Sequence, residues 1–161
     1  MIIASFIMSP VAFAVDMVIN FEIIRTNCNA ARSTIQRIVS VDKITRINRG
    51  WTYDRMGKLF TNFNERLRQN RIDNQQFVEL SGKFNQATAA FRANYDDYKN
   101  SIEYVINTDC TVRPSDFYDA LKVARAKRQK INDKIIELDD IIVRYHTAVN
   151  ELSQSLYGEK Q

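Results

Sequence analysis

The chain has 161 residues, the size of one domain or of two very small ones. Its apolar share of 45% and charged share of 26% are ordinary for a globular protein and argue against disorder, and the net charge is only +4. Four glycines and two prolines are present, far below the usual share of about 12% for the two together, which nearly excludes turn-rich all-β and doubly wound α/β folds. We therefore expect a small number of long helices.

The N-terminal segment has the outline of a secretory leader. Residues 1–14 carry no charge and end in Ala12-Phe13-Ala14, a small-x-small cleavage pattern, although no basic residues precede the apolar run. The run is too short to span a bilayer, which takes about 20 residues. We expect cleavage after Ala14, which leaves residues 15–161 as a single exported domain without a transmembrane anchor. A buried apolar N-terminal arm is the alternative.

The first long helix is predicted over about residues 30–70, and its apolar pattern is irregular. One helical face carries the larger apolar set, Ile35, Ile38, Val39, Tyr53, Met56, Phe60, Phe63 and Leu67. Ile44, Ile47 and Trp51 fall roughly opposite that face, next to Gly50. Two interpretations stay open. The helix bends at Gly50 and buries these three residues, or they form a surface at which a partner binds.

Two further helices are predicted over about residues 73–107 and 115–157. Their apolar residues alternate three and four positions apart, which is typical of helices that pack along a heptad seam. Each seam contains one polar member, Asn94 in the second helix and Arg128 in the third. The folding register places them level with each other. We interpret them as a polar layer in the core that fixes register, in preference to a ligand site.

Short connections make successive helices antiparallel neighbours, so the predicted fold is all-α, an elongated, coiled-coil-like antiparallel three-helix bundle. Folding the chain near residues 71 and 111 brings Cys28 and Cys110 to the same end of the bundle. In an exported protein we therefore predict a Cys28–Cys110 disulfide, which stabilises the fold by about 4–5 kcal/mol at most.

Side chains that could carry out chemistry are sparse. One histidine, His146, does not suffice for metal sites that need two imidazoles, and we expect it to be a solvated flank residue. The carboxylate pairs Asp96-Asp97 and Asp139-Asp140 do not converge, because adjacent helical residues point about 100° apart. Nucleotide-binding and serine-hydrolase motifs are missing from the sequence. We predict no enzymatic activity, no cofactor and no metal.

Positive charge is concentrated in the first helix. Residues 25–71 hold eleven Lys and Arg but three Asp and Glu, whereas the other segments are weakly negative or neutral. Such a helix could bind anionic lipid or a cell-wall polymer. Alternatively, carboxylates on the neighbouring helices cancel much of this charge, and we do not expect nucleic-acid binding.

One local sequence and its surroundings carry a resemblance. Asp109-Cys110 is followed by Arg113-Pro114-Ser115-Asp116-Phe117-Tyr118 and by Ala124-Arg125-Ala126-Lys127-Arg128. The rest of the outline consists of an apolar leader, two long helices, a Cys-containing connection and a long third helix with basic residues near its start. The outline covers most of residues 30–157. In this outline the chain resembles a set of uncharacterised small exported helical proteins of candidate-phylum bacteria. The resemblance implies an exported helical protein and no particular activity.

These patterns predict a non-enzymatic structural or interaction protein that acts outside the cytoplasm. An envelope component, a spacer and a protein binder all fit this description, with another protein or the cell envelope as the partner. A peripheral binder of anionic lipid or cell-wall polymer, acting through the basic first helix, is the alternative. A homo-oligomer is also open, because a three-helix seam can be completed between chains.

Overall fold

The computed structural model describes residues 20–158, and the regular structure in that range is α-helical. Four helices pack together: α1 (Phe21–Thr26), α2 (Cys28–Gln69), α3 (Gln75–Asn107) and α4 (Pro114–Gly158). With 42 and 45 residues at about 1.5 Å each, α2 and α4 are about 63 and 68 Å long. The all-α prediction is confirmed. The predicted leader, residues 1–14, lies outside the described residues.

The predicted first helix corresponds to α2, preceded by a short helix that the sequence analysis did not foresee. Asn20 caps α1 by accepting a hydrogen bond from the backbone N–H of Glu22 at 3.0 Å. The side chain of Asn27, the one residue between α1 and α2, donates to the carbonyl of Ile23 at 2.9 Å. Beyond that break, α2 continues through Gly50 without interruption. Gly50 therefore does not interrupt the helix.

The helix α3 lies against both α2 and α4, and it runs antiparallel to each. Between α2 and α3, the amide of Asn64 donates to the hydroxyl of Ser81 at 2.8 Å. Between α3 and α4, Lys127 pairs with Asp97 at 2.8 Å. No Cα atom of α2 lies within 8 Å of a Cα atom of α4 over the described residues. The backbones of these two helices therefore do not approach closely, side chains bridge the space between them, and a groove runs between them.

This unequal spacing decides which seam residues of α4 are buried. A row at intervals of seven is buried, namely Phe117, Ala124, Ile131, Leu138 and Tyr145. The other row of the predicted seam borders the groove and is half-buried or exposed, namely Leu121, Arg128, Ile135, Ile142 and Val149. Ile141 and Ala148 are buried next to that row. The core therefore lies mainly along α3, and the side of α4 that borders the groove is only partly covered.

Candidate functional site

The two cysteines lie together at one end of the molecule. Cys28 is the first residue of α2 and Cys110 lies in the connection between α3 and α4, with their Cα atoms 5.5 Å apart, which is a disulfide distance. Both are buried. Close by, the guanidinium of Arg32 donates to the carbonyl of Ile106 at 3.1 Å, which adds a second link between α2 and the end of α3. The pair is the one that the antiparallel register predicts.

The connection around Cys110 is ordered by its own side chains. A carboxylate oxygen of Asp109 accepts from the backbone N–H of Thr111 at 2.9 Å and from its hydroxyl at 2.6 Å. These hydrogen bonds hold the pKa of Asp109 below its usual range. These hydrogen bonds order the loop locally without involving the cysteine side chains.

Ile44, Ile47 and Trp51 lie on the outside of α2. Between 56% and 63% of each residue is exposed, so the structure excludes the interpretation in which they are core residues. Val41 is exposed to a similar degree, one turn before Ile44. We call these four residues the apolar stripe of α2. The guanidinium carbon of Arg55 lies 4.6 Å from the centroid of the Trp51 ring, a cation–π distance.

The basic charge of α2 is only partly cancelled. Its three carboxylates are all in ion pairs, namely Asp42 with Arg128, Asp54 with Arg92 and Glu65 with Arg68. Arg46 and Arg49 pair across to Asp96 and Asp139, as part of the cancellation considered from the sequence. By contrast, Arg37, Lys43, Arg55 and Lys58 form no ion pair with any residue in the range 20–158. The uncancelled charge thus surrounds the apolar stripe of α2.

Arg128 does not occupy the predicted core layer. Its side chain is 46% exposed at the groove and binds both carboxylate oxygens of Asp42 at 2.8 Å. The hydroxyl of Tyr98 donates to the same carboxylate at 2.7 Å. Asp42, with 13% of its side chain exposed, therefore joins α2, α3 and α4. We call Asp42, Tyr98 and Arg128 the Asp42 cluster.

Asn94, the other predicted member of that layer, forms no hydrogen bond with Arg128. It is half-buried, and its amide donates to the carbonyl of Lys130 at 3.4 Å. Sequence reasoning missed Asp42, although a signal was present. Asp42 lies seven residues after Ile35, which is buried, and therefore on the same side of the helix.

Replacing Arg128 with leucine is expected to lower the free energy of unfolding by about 1–2 kcal/mol, because the largely buried Asp42 would lose its cation. Because the Arg128–Asp42 ion pair is partly exposed, this loss of stability is expected to be smaller than the loss on breaking a fully buried ion pair. Urea unfolding of Arg128→Leu beside Asn94→Leu measures it, with a change within about 0.5 kcal/mol expected for the latter. A more stable Arg128→Leu protein would contradict the role given to the Asp42 cluster.

The Asp42 cluster also predicts a loss of stability in alkali. Burial raises the pKa of the Tyr98 hydroxyl above its ordinary value of 10.0, and the hydrogen bond to Asp42 and its negative charge raise it further. The neutral hydroxyl therefore stabilises the folded state fully below about pH 10, and this contribution is lost as the pH rises beyond that value. Urea unfolding at about pH 9 and pH 11 should show a smaller loss for Tyr98→Phe than for the wild type. Equal losses would refute the prediction.

Two apolar cavities lie in the groove between α2 and α4, one on each side of the Asp42 cluster along the helices. The cavity near the cysteine pair has a volume of about 430 Å³ and is lined by Ile35, Ile38 and Leu121 among others. The cavity towards the other end measures about 550 Å³ and is lined by Phe63 and Ile142 among others. His146 borders this second cavity and is exposed, as expected for a flank residue.

Residues 20–158 contain neither a cluster of metal-ligating side chains nor a helix that could span a membrane. Within residues 20–158, no three His, Cys, Asp or Glu residues are grouped so that they could hold a metal ion. Among the helices in that same stretch, none combines the length and apolar character needed to cross a bilayer. No protein-family model, curated protein or solved structure matches this chain. Function therefore has to be inferred from its own geometry.

Proposed function

We propose that this protein is a non-enzymatic exported interaction protein, whose contact surface is the apolar stripe of α2. The rest of the molecule serves as its scaffold, an elongated, disulfide-linked antiparallel three-helix bundle of α2, α3 and α4. In this role it acts outside the cytoplasm as an envelope component, a spacer or a binder. The observation that carries the proposal is the exposure of four large apolar side chains on a helix whose other side supplies the core.

The scaffold assignment is supported by contacts that join the three long helices. The Asp42 cluster connects all three in the half of α2 that begins at Cys28. The ring of Tyr145 on α4 stacks on Phe60 of α2 and meets Phe77 of α3 edge-on. The short α1 adds no buried residue. Export is supported by the cysteine pair, since disulfides persist mainly in oxidising compartments.

The contact-surface assignment is supported by the clustering of the stripe. Single exposed apolar residues are normal on soluble proteins, whereas contiguous apolar patches mark binding surfaces. Val78 on α3 and Ile136 on α4 are exposed apolar residues that lie outside this stripe. Tryptophan is, moreover, one of the residues that most often dominate the energy of an interface.

Photo-crosslinking tests the proposal. A diazirine amino acid is placed at Trp51, or at Ile136 as a matched control that is 67% exposed on α4, in the cells that produce the protein. Molecules captured from position 51 are expected to exceed those from position 136 by about tenfold, because a bound partner covers only the stripe. Equal capture at both positions would contradict the proposal, and so would recovery of the protein in the cytoplasmic fraction.

A further inference from the structure

We infer that the partner of the apolar stripe of α2 is the surface of an anionic lipid bilayer, against which the helix lies flat. The inference rests on the proposed function, because it names the partner of the same surface. It is argued from three properties of this part of α2: the shape of the stripe, the placement of charge around it, and the rigidity of the helix beneath it.

The stripe has the dimensions of an interfacial contact. Val41, Ile44, Ile47 and Trp51 follow one another at intervals of three or four residues, so they share one side of the helix. From residue 41 to residue 51 the stripe extends about 15 Å along the helix axis. Such a strip is suited to enter the headgroup region of a bilayer rather than to cross it.

The side chains around the stripe that carry unpaired charge are positive. Arg37 precedes it, Arg55 and Lys58 follow it, and none of these three has an ion-pair partner within residues 20–158. The two carboxylates in this stretch of α2, Asp42 and Asp54, are bound to Arg128 and Arg92 on other helices. A partner for this surface must therefore offer negative charge and an apolar phase together.

A second copy of the chain does not meet that requirement. Two stripes packed against each other would bring Arg37, Arg55 and Lys58 of both copies to one interface, and no free carboxylate of this surface would lie between them. A nucleic acid or a charged wall polymer would pair with the cations but would leave Val41 and Ile44 uncovered. An anionic bilayer satisfies both, with phosphates for the cations and Trp51 at the depth that tryptophan favours.

The helix is also fixed before it binds. Its inner side packs against α3, and the cysteine pair holds its first residue to the connection before α4. An amphipathic segment that folds only on a membrane loses conformational entropy when it binds. Because α2 is already helical, its binding does not carry that cost. The stacking of Arg55 on Trp51 places a cation directly beside the ring that would enter the interface.

Vesicle binding of the oxidised full chain tests the inference. Vesicles of phosphatidylcholine alone are compared with vesicles that also contain phosphatidylglycerol, by sedimentation and by the fluorescence of Trp51, the one tryptophan in the chain. We expect preferential binding to the anionic vesicles, a shift of the emission to shorter wavelength, and loss of binding as salt is raised. Equal binding to both kinds of vesicle, or binding to neither, would overturn the inference.

Variants separate the two contributions to binding. The double variant Ile44→Ser with Ile47→Ser removes apolar contact with the bilayer. The double variant Arg37→Gln with Lys58→Gln removes two positive charges, and each lost charge is expected to lower the affinity for anionic vesicles about fivefold. Matched controls on α4 are Ile136→Ser with Val143→Ser, and Arg125→Gln with Lys130→Gln. Circular dichroism establishes that each variant is folded. Only the α2 variants are expected to lose binding, and an equal loss in the controls would refute the assignment to α2.

The crosslinking and vesicle results together distinguish the inference from the proposed function. Capture of a protein at position 51 with no vesicle binding would overturn the lipid partner and leave the proposed interaction surface intact. Binding to isolated cell-wall material in place of vesicles would have the same meaning. Absence of capture and of vesicle binding would overturn both.

Discussion

Replacing Cys28 and Cys110 together with alanine is expected to lower the free energy of unfolding by about 4–5 kcal/mol. The cross-link joins residues 82 positions apart, so it removes much of the conformational freedom of the unfolded chain. Because total stabilities are commonly about 5–15 kcal/mol, the variant should be close to unfolded at elevated temperature. Urea unfolding followed by circular dichroism measures the difference.

A reductant supplies the control for this prediction. It should destabilise the wild type by a similar amount and leave the double variant unchanged, because the variant has no thiol to release. Thiol titration of denatured protein should detect none before reduction and two afterwards, since the chain has two cysteines. Two free thiols in protein purified without reductant would contradict the disulfide.

Replacing Tyr145 with alanine is expected to lower the free energy of unfolding by about 3–5 kcal/mol. The ring is buried and stacks on Phe60 with a centroid distance of 3.7 Å, while the hydroxyl donates to the side-chain oxygen of Asn64 at 2.7 Å. Burial raises the pKa of Tyr145 to about 12, so the hydroxyl remains a donor further into the alkaline range than an exposed tyrosine would. A large effect is expected because side chains such as Tyr145 bridge α2 and α4, whose backbones do not approach closely.

Two further substitutions on α4 serve as comparisons for Tyr145→Ala, one that removes only the hydroxyl and one at an exposed position. Tyr145→Phe keeps the ring and should cost about 1 kcal/mol for the lost hydrogen bond. Val143→Ala, at a position that is 63% exposed, should change the free energy of unfolding by less than about 0.5 kcal/mol. Urea unfolding of all three variants gives the comparison, and a Tyr145→Ala protein as stable as Val143→Ala would refute the role given to this residue.

The fold was predictable to the extent that it depends on periodicity within each helix. Regular spacing of apolar residues indicates which side of a helix faces inward, and short connections place consecutive helices side by side. The same register brought Cys28 and Cys110 together. Periodicity carries no information on how far a helix lies from each neighbour, however. For this reason Arg128 was assigned to the core, although its row borders the open groove between α2 and α4.

The candidate surface was predictable only as one of two alternatives. Whether Ile44, Ile47 and Trp51 are buried depends on whether the helix bends at Gly50, and glycine permits both a straight and a bent helix. The structure has an unbroken helix through Gly50, and the three side chains are exposed on its outer side. Asp42 was missed for a different reason: its partners lie 56 and 86 residues away, on helices whose rotation no local pattern specifies.

The link between Cys28 and Cys110 also determines how the chain responds to mechanical tension. A pull applied between the segment before α2 and the end of α4 passes through the sulfur atoms, so the residues between the two cysteines carry no load. The cysteines are 82 positions apart. At about 3.3–3.6 Å per extended residue, the segment between them corresponds to roughly 270–300 Å of extension, which the reduced chain can undergo and the oxidised chain cannot. Of the three long helices, only α4 therefore lies on the loaded path of the oxidised chain, and α2 bears no load.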